Sequence, residues 1–100
     1  MNPSTFIKQP YEKRTIVINF IDSLLPGDSI ASINGVTTWL SGVDKSSEII
    51  SGAASLLGNK VYVTLTAGTS GYTYNIRFRV GTTNGDTIED DLDLIVREKS

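Results

Sequence analysis

Side chains able to do chemistry are few in this chain of 100 residues. It contains no His and no Cys, which removes the imidazole base, the thiolate nucleophile, disulfides and the ordinary zinc ligand sets. Carboxylates, lysines, tyrosines and hydroxyls remain. The densest acidic run is Glu89-Asp90-Asp91-Leu92-Asp93. It lacks the Asp-x-Asp-x-Asp-Gly spacing of a calcium loop. On a strand, alternation turns Glu89, Asp91 and Asp93 toward solvent and away from the cleft that general acid and base work requires. Arg77 and Arg79, on the outward face of the preceding strand, are then their cross-strand partners. Gly68-Thr69-Ser70-Gly71 has the glycines of a phosphate cradle but neither a following Lys-Ser/Thr nor a helix to open. The chemistry predicted is therefore binding without catalysis, cofactor or metal.

The aromatic residues suit that reading. Trp39 is expected to anchor the core or a sheet edge. Tyr74 stands near the start of a late strand, after the Gly68 to Gly71 turn, where β-sandwiches place a tyrosine whose hydroxyl returns to the backbone just upstream. A rival arrangement would line up Trp39, Tyr62 and Tyr72 as an exposed strip for carbohydrate.

The elements that must carry these residues are strands. Ser and Thr make up 22 of the 100 residues, a richness that suits sheet faces and turns over long helices. Ile16, Ile18 and Phe20 alternate with polar or smaller residues, as do Val61, Val63 and Leu65, and then Tyr72, Tyr74, Ile76, Phe78 and Val80. Ile88, Leu92, Leu94 and Val96 form the return of a long hairpin through Asn84-Gly85. A second Asn-Gly pair, Asn34-Gly35, predicts a hairpin between strands at 29–33 and 36–40. Residues 43–54 read as a strand, with a short helix capped by Ser46 as the alternative. The fold class expected is all-β, an immunoglobulin-like sandwich of about six to seven antiparallel strands spanning 14–100. A single open sheet would leave Ile76, Phe78, Leu94 and Val96 wet, each forgoing roughly 1.5–3 kcal/mol.

Residues 1–13 carry Pro3, Pro10 and the isolated aromatics Phe6 and Tyr11. They read as an extended N-terminal arm able to anchor on a neighbour. No charged leader precedes an apolar stretch, and no apolar run approaches the ~20 residues that cross a bilayer, so an unprocessed protein made in the cytoplasm and free of membrane is expected. A net charge of −2 and a pI near 4.9 offer no cationic footprint for nucleic acid.

The order of the motifs resembles a known family. Phe6-x-Lys8-x-Pro10-x-Glu12 comes first, then Asn19-Phe20 and Leu25-x-Gly27-Asp28-x-Ile30. Val61-x-Val63 and Leu65-x-x-Gly68-x-x-Gly71-x-x-Tyr74-x-Ile76 follow, and Thr82-Thr83-x-Gly85 with Leu92-x-Leu94-x-Val96 closes the chain. This resembles the small immunoglobulin-like structural proteins of tailed bacteriophages, the fibre-tail adaptor or head-tail neck proteins. The resemblance implies a non-enzymatic virion protein of the head-tail connector region that binds other virion proteins and forms a ring of like subunits. Lys8 and Pro10 of the arm join Phe6, Tyr11, Trp39, Tyr74, Arg77 and Arg79 as interaction or structural candidates. A capsid decoration protein is the neighbouring alternative.

Overall fold

The computed structural model describes residues 5–98; residues 1–4 of the expected arm lie outside the described residues. Eight strands form two sheets. The strands are β1 (Thr5–Lys8), β2 (Arg14–Asn19), β3 (Ile30–Leu40), β4 (Val43–Asp44), β5 (Ile50–Leu57), β6 (Lys60–Leu65), β7 (Tyr72–Thr82) and β8 (Thr87–Val96). One sheet runs β1-β8-β7-β3-β4 and the other β2-β6-β5. A four-residue helix, α1 (Ser46–Ile49), precedes β5.

The inner faces follow from period two. Tyr74, Ile76, Phe78 and Val80 of β7 and Leu92, Leu94 and Val96 of β8 are buried against Ile16, Ile18, Val61, Val63 and Leu65 of the smaller sheet. Phe20, just past β2, is fully buried with them. The result is the expected all-β sandwich, with more strands than the six to seven expected. The surplus comes from the two-residue β4 and from β1, whose pairing with β8 is parallel.

Two local expectations are corrected. Asn34-Gly35 is no hairpin turn: β3 runs through it as one strand paired to β7. The reason lies in the apolar spacing, since Ile30, Ile33 and Val36 are three apart and an unbroken strand would put them on alternating faces. One extra residue is absorbed between Ile30 and Ser32, and another between Ile33 and Gly35. These bulges bring Ile33 opposite Val80 and Val36 opposite Phe78. Residues 43–54 are neither one strand nor a helix capped by Ser46. They divide into β4, α1 and the start of β5, and the Ser46 hydroxyl accepts the Thr38 N–H at 2.9 Å.

The turns that the glycines mark are real. The β7–β8 hairpin closes with Gly85 at φ +90°, its N–H donating to Thr82 O at 3.1 Å. Gly68, at φ +94°, sits so close to Val96 that a Cβ would lie 2.8 Å from a Val96 methyl. Two polar clamps tie distant segments at the opposite end. The Asp28 carboxylate, nearly buried, accepts the Thr83 hydroxyl at 2.6 Å, the Ser29 N–H at 2.8 Å and the Asn84 N–H at 3.2 Å. Asn59 accepts the Ile30 N–H on its side chain at 3.1 Å and the Phe20 N–H on its carbonyl at 2.9 Å.

These contacts hold the Asp28 carboxyl below the usual range, the Thr83 hydroxyl most of all, against a burial that pushes it up. A depressed folded value stabilises the fold above the unfolded aspartate range near pH ~3.9, and that contribution is lost as pH falls through the folded value. Asp28→Asn is therefore expected to lower the melting temperature most at neutral pH, with the gap to the parent protein closing below about pH 4 in a thermal-unfolding series. A gap that does not change with pH contradicts the clamp. Thr38, on β3 opposite Ile76, is fully buried and its hydroxyl has no partner. Thr38→Val removes that unpaired group at nearly constant shape and should raise unfolding free energy by about 1–2 kcal/mol in denaturant titration.

Candidate functional site

The closed core leaves three surfaces to consider. The first is the outer face of the five-stranded sheet. Thr38 points into the core, so Trp39 beside it faces outward on β3, half-buried and opposite Asn75 of β7. The Arg77 guanidinium lies over the Trp39 ring, 5.4 Å from its centroid. The indole N–H donates to Thr37 Oγ1 at 2.9 Å, which restrains the ring on that face. Arg77 sits in register opposite Asp91 but donates from Nε to Asn75 Oδ1 at 3.1 Å. Asn75 Nδ2 in turn donates to Asp91 at 3.2 Å and Asp93 at 3.4 Å. Arg79 makes the cross-strand pair with Glu89 directly, Nε to Oε1 at 2.6 Å. An exposed pair of this kind is worth only ~0–1 kcal/mol to the fold.

Asp90 falls on the other face, opposite Phe78, and accepts the Asp91 N–H at 2.9 Å. β1 covers β8 only from Asp93 to Val96. Charges at Glu89, Asp90 and Asp91 guard the rest of that edge against indiscriminate strand pairing.

The second surface is built by the N-terminal segment. Its residues 5–8 lie in the sandwich as edge strand β1. Phe6 packs against the chain's own core, with the Arg14 guanidinium 5.7 Å from its ring centroid. Lys8 is 1% exposed. Its ammonium donates to the carbonyls of Gln9 at 2.8 Å, Pro10 at 3.5 Å and Ala67. Three donors meeting three carbonyls is how a buried lysine can be tolerated. Burial pushes its pKa down, with Glu12 opposing. Pro10 occupies the second position of a turn closed by Glu12 N–H to Gln9 O at 3.1 Å, where its fixed φ fits. The Gln9 N–H donates to Glu12 Oε1 at 2.9 Å, which, with Arg14 at 3.2 Å, holds the Glu12 carboxyl below its ordinary range. At the tip of this braced turn stands Tyr11, 99% exposed.

The third surface is the outside of the smaller sheet. Tyr62, between buried Val61 and Val63, faces outward there, opposite Val17. Tyr62 and Trp39 therefore lie on opposite outer faces, and the aromatic strip of Trp39, Tyr62 and Tyr72 does not form. Tyr72 instead makes an edge contact with Tyr74, ring centroids 6.4 Å apart. Tyr74 is 1% exposed and its Oη accepts the Thr69 N–H at 3.0 Å, five residues upstream. That hydrogen bond orders the Gly68 to Gly71 connection, which Gly71 N–H to Val96 O at 2.8 Å also holds.

Lys8, the arm's proline turn and Tyr74 converge at one end of the sandwich through Ala67 and Thr69. Each of the three is marked by its residue type in the sequence, but their junction is not. Asp28 and Asn59 carry no local sign of their roles as clamps, although Asp28 stands in a Pro-Gly-Asp turn motif. Among the described residues no group of three or more acidic residues could hold a metal ion, and no helix is long and apolar enough to cross a membrane.

No curated protein matches the chain. The family model described as podophage GP4 fiber-tail adaptor protein gp77 matches residues 8–95, from the buried lysine to the penultimate residue of β8. That span covers all of the strands β2 to β7, nearly all of β8 and the last residue of β1, and the chain belongs to this family of phage fibre-tail adaptor proteins.

Proposed function

We propose that the chain is a non-catalytic adaptor of the head-tail connector region, where it joins other virion proteins through direct contacts and stands with its copies in a ring. The observation that carries the reading is the outer face of the five-stranded sheet within a chain of the fibre-tail adaptor family. Trp39, stacked under Arg77, with the Arg79–Glu89 pair farther along the same face, combines the residue types that carry most interface energy. They are held by strands, so little ordering entropy is left to lose on docking. The alternative of carbohydrate binding has no aromatic strip to support it, because its three aromatics are divided between faces.

A phage lacking the gene, complemented with Trp39→Ala plus Arg77→Ala, tests the reading. Removing a central tryptophan anchor costs ~2 kcal/mol or more at an interface, roughly 30-fold in affinity. Particles carrying the variant are expected to lose fibre or tail components while the purified variant still folds. Particles with their full complement of both would contradict the reading.

A further inference from the structure

We propose that the outer edge of β1 takes an extended, acidic segment of a neighbouring protein as an added strand, with a carboxylate of that segment held by Arg14 and Arg97. The site lies three strands from Trp39 in the larger sheet, and it rests on the reading above only in that another protein supplies the strand.

The backbone selects a polypeptide. β1 is the last strand of its sheet, paired to β8 on one side alone. Successive residues of a strand turn their N–H and C=O to alternate sides. The Lys8 carbonyl accepts the Arg97 N–H from the β8 side at 3.0 Å, so Thr5 and Ile7 present their backbone groups to the open side. Next along that side, the Gln9 N–H is capped by Glu12 Oε1 at 2.9 Å, which ends the open edge there. A row of such groups is a template for a further strand, whose main chain supplies affinity while its side chains supply specificity.

The side chains select the charge of that strand. Beside the edge is a recess of about 340 Å³ lined by Ile7, Lys8, Gln9, Glu12, Arg14 and Arg97. Three cations against one carboxylate make it positive, in a chain whose net charge is −2. The one carboxylate, Glu12, is already engaged by the Gln9 N–H and by Arg14. Arg97 is exposed and forms no ion pair with any described residue. A guanidinium so placed receives a carboxylate on two parallel N–H···O bonds. Ile7, 49% exposed, gives the incoming strand an apolar contact as well.

The same charges decide what is turned away. A second copy presenting this edge would bring like charges together, and so would a lysine-bearing strand. An acidic strand is attracted where those are repelled.

An NMR titration of the isotopically labelled full chain with a capped peptide, Ser-Val-Glu-Val-Asp-Val-Ser, makes the test. Saturable shifts are expected at the amides of Thr5, Ile7 and Arg97. The same peptide with Gln and Asn in place of its acidic residues should bind about tenfold more weakly, the loss of one charged hydrogen bond. Arg97→Ala should weaken the acidic peptide to a similar extent, since it keeps the backbone N–H that pairs with Lys8 and loses only the guanidinium. If circular dichroism finds that variant unfolded, Arg97→Gln takes its place. No shift at β1 with millimolar peptide, equal binding of the acidic and neutral peptides, or full affinity in the variant overturns the proposal. So do shifts confined to Arg97 that inorganic phosphate reproduces, the mark of a simple anion site. None of these outcomes touches the Trp39 contact, which the phage particles report separately.

Discussion

Everything in this molecule depends on two unequal sheets having to close over each other. Ile18, Val63 and Leu65 on one side and Tyr74, Phe78 and Leu94 on the other are essentially removed from water. Each such residue contributes roughly 1.5–3 kcal/mol by leaving it, and a chain of this length has little other apolar surface to bury. Closure also decides what is left for function. The interior is filled with side chains that react with nothing, and every guanidinium, nearly every carboxylate and the one tryptophan are turned to the outside or the ends. A protein built this way keeps most of its charged chemistry on its surfaces.

Much of that closure was legible in the residues. The alternation from Tyr74 to Val80 and from Leu92 to Val96 needs no tertiary information, because period two on a strand allows one inner set only. Tyr74 was legible for the same reason, as a tyrosine entering a core with its hydroxyl near a glycine turn. Asn34-Gly35 misled because dipeptide turn signals are local, whereas the outcome was set by Ile30, Ile33 and Val36 seeking one face of a strand paired to β7. Two bulges reconcile that spacing with the pleat, and no propensity scale weighs a bulge against a turn. The clamps were illegible for a related reason: Asp28 meets Thr83 across 55 residues and Asn59 meets Ile30 across 29, so neither partner lies in any local window.

The N-terminal segment joins these themes. Its prolines and scattered aromatics read as an arm; residues 5–8 form a parallel edge strand of the larger sheet. What completes it is Lys8, whose ammonium reaches the carbonyls that would otherwise be left at the end of the sandwich. The same group that seals the fold there also braces the turn carrying Tyr11. The outer sheet face repeats the arrangement in another form, with Asn75 linking Arg77 to the acidic strand while Arg77 covers Trp39.

Cryo-electron microscopy of the intact phage tail tests most directly the claim that this protein works through its outer surfaces. The account predicts density for the sandwich at a junction between virion proteins, with a second polypeptide packed over Trp39 and Arg77. A well-resolved sandwich whose five-stranded face is bathed in solvent on every copy would contradict it.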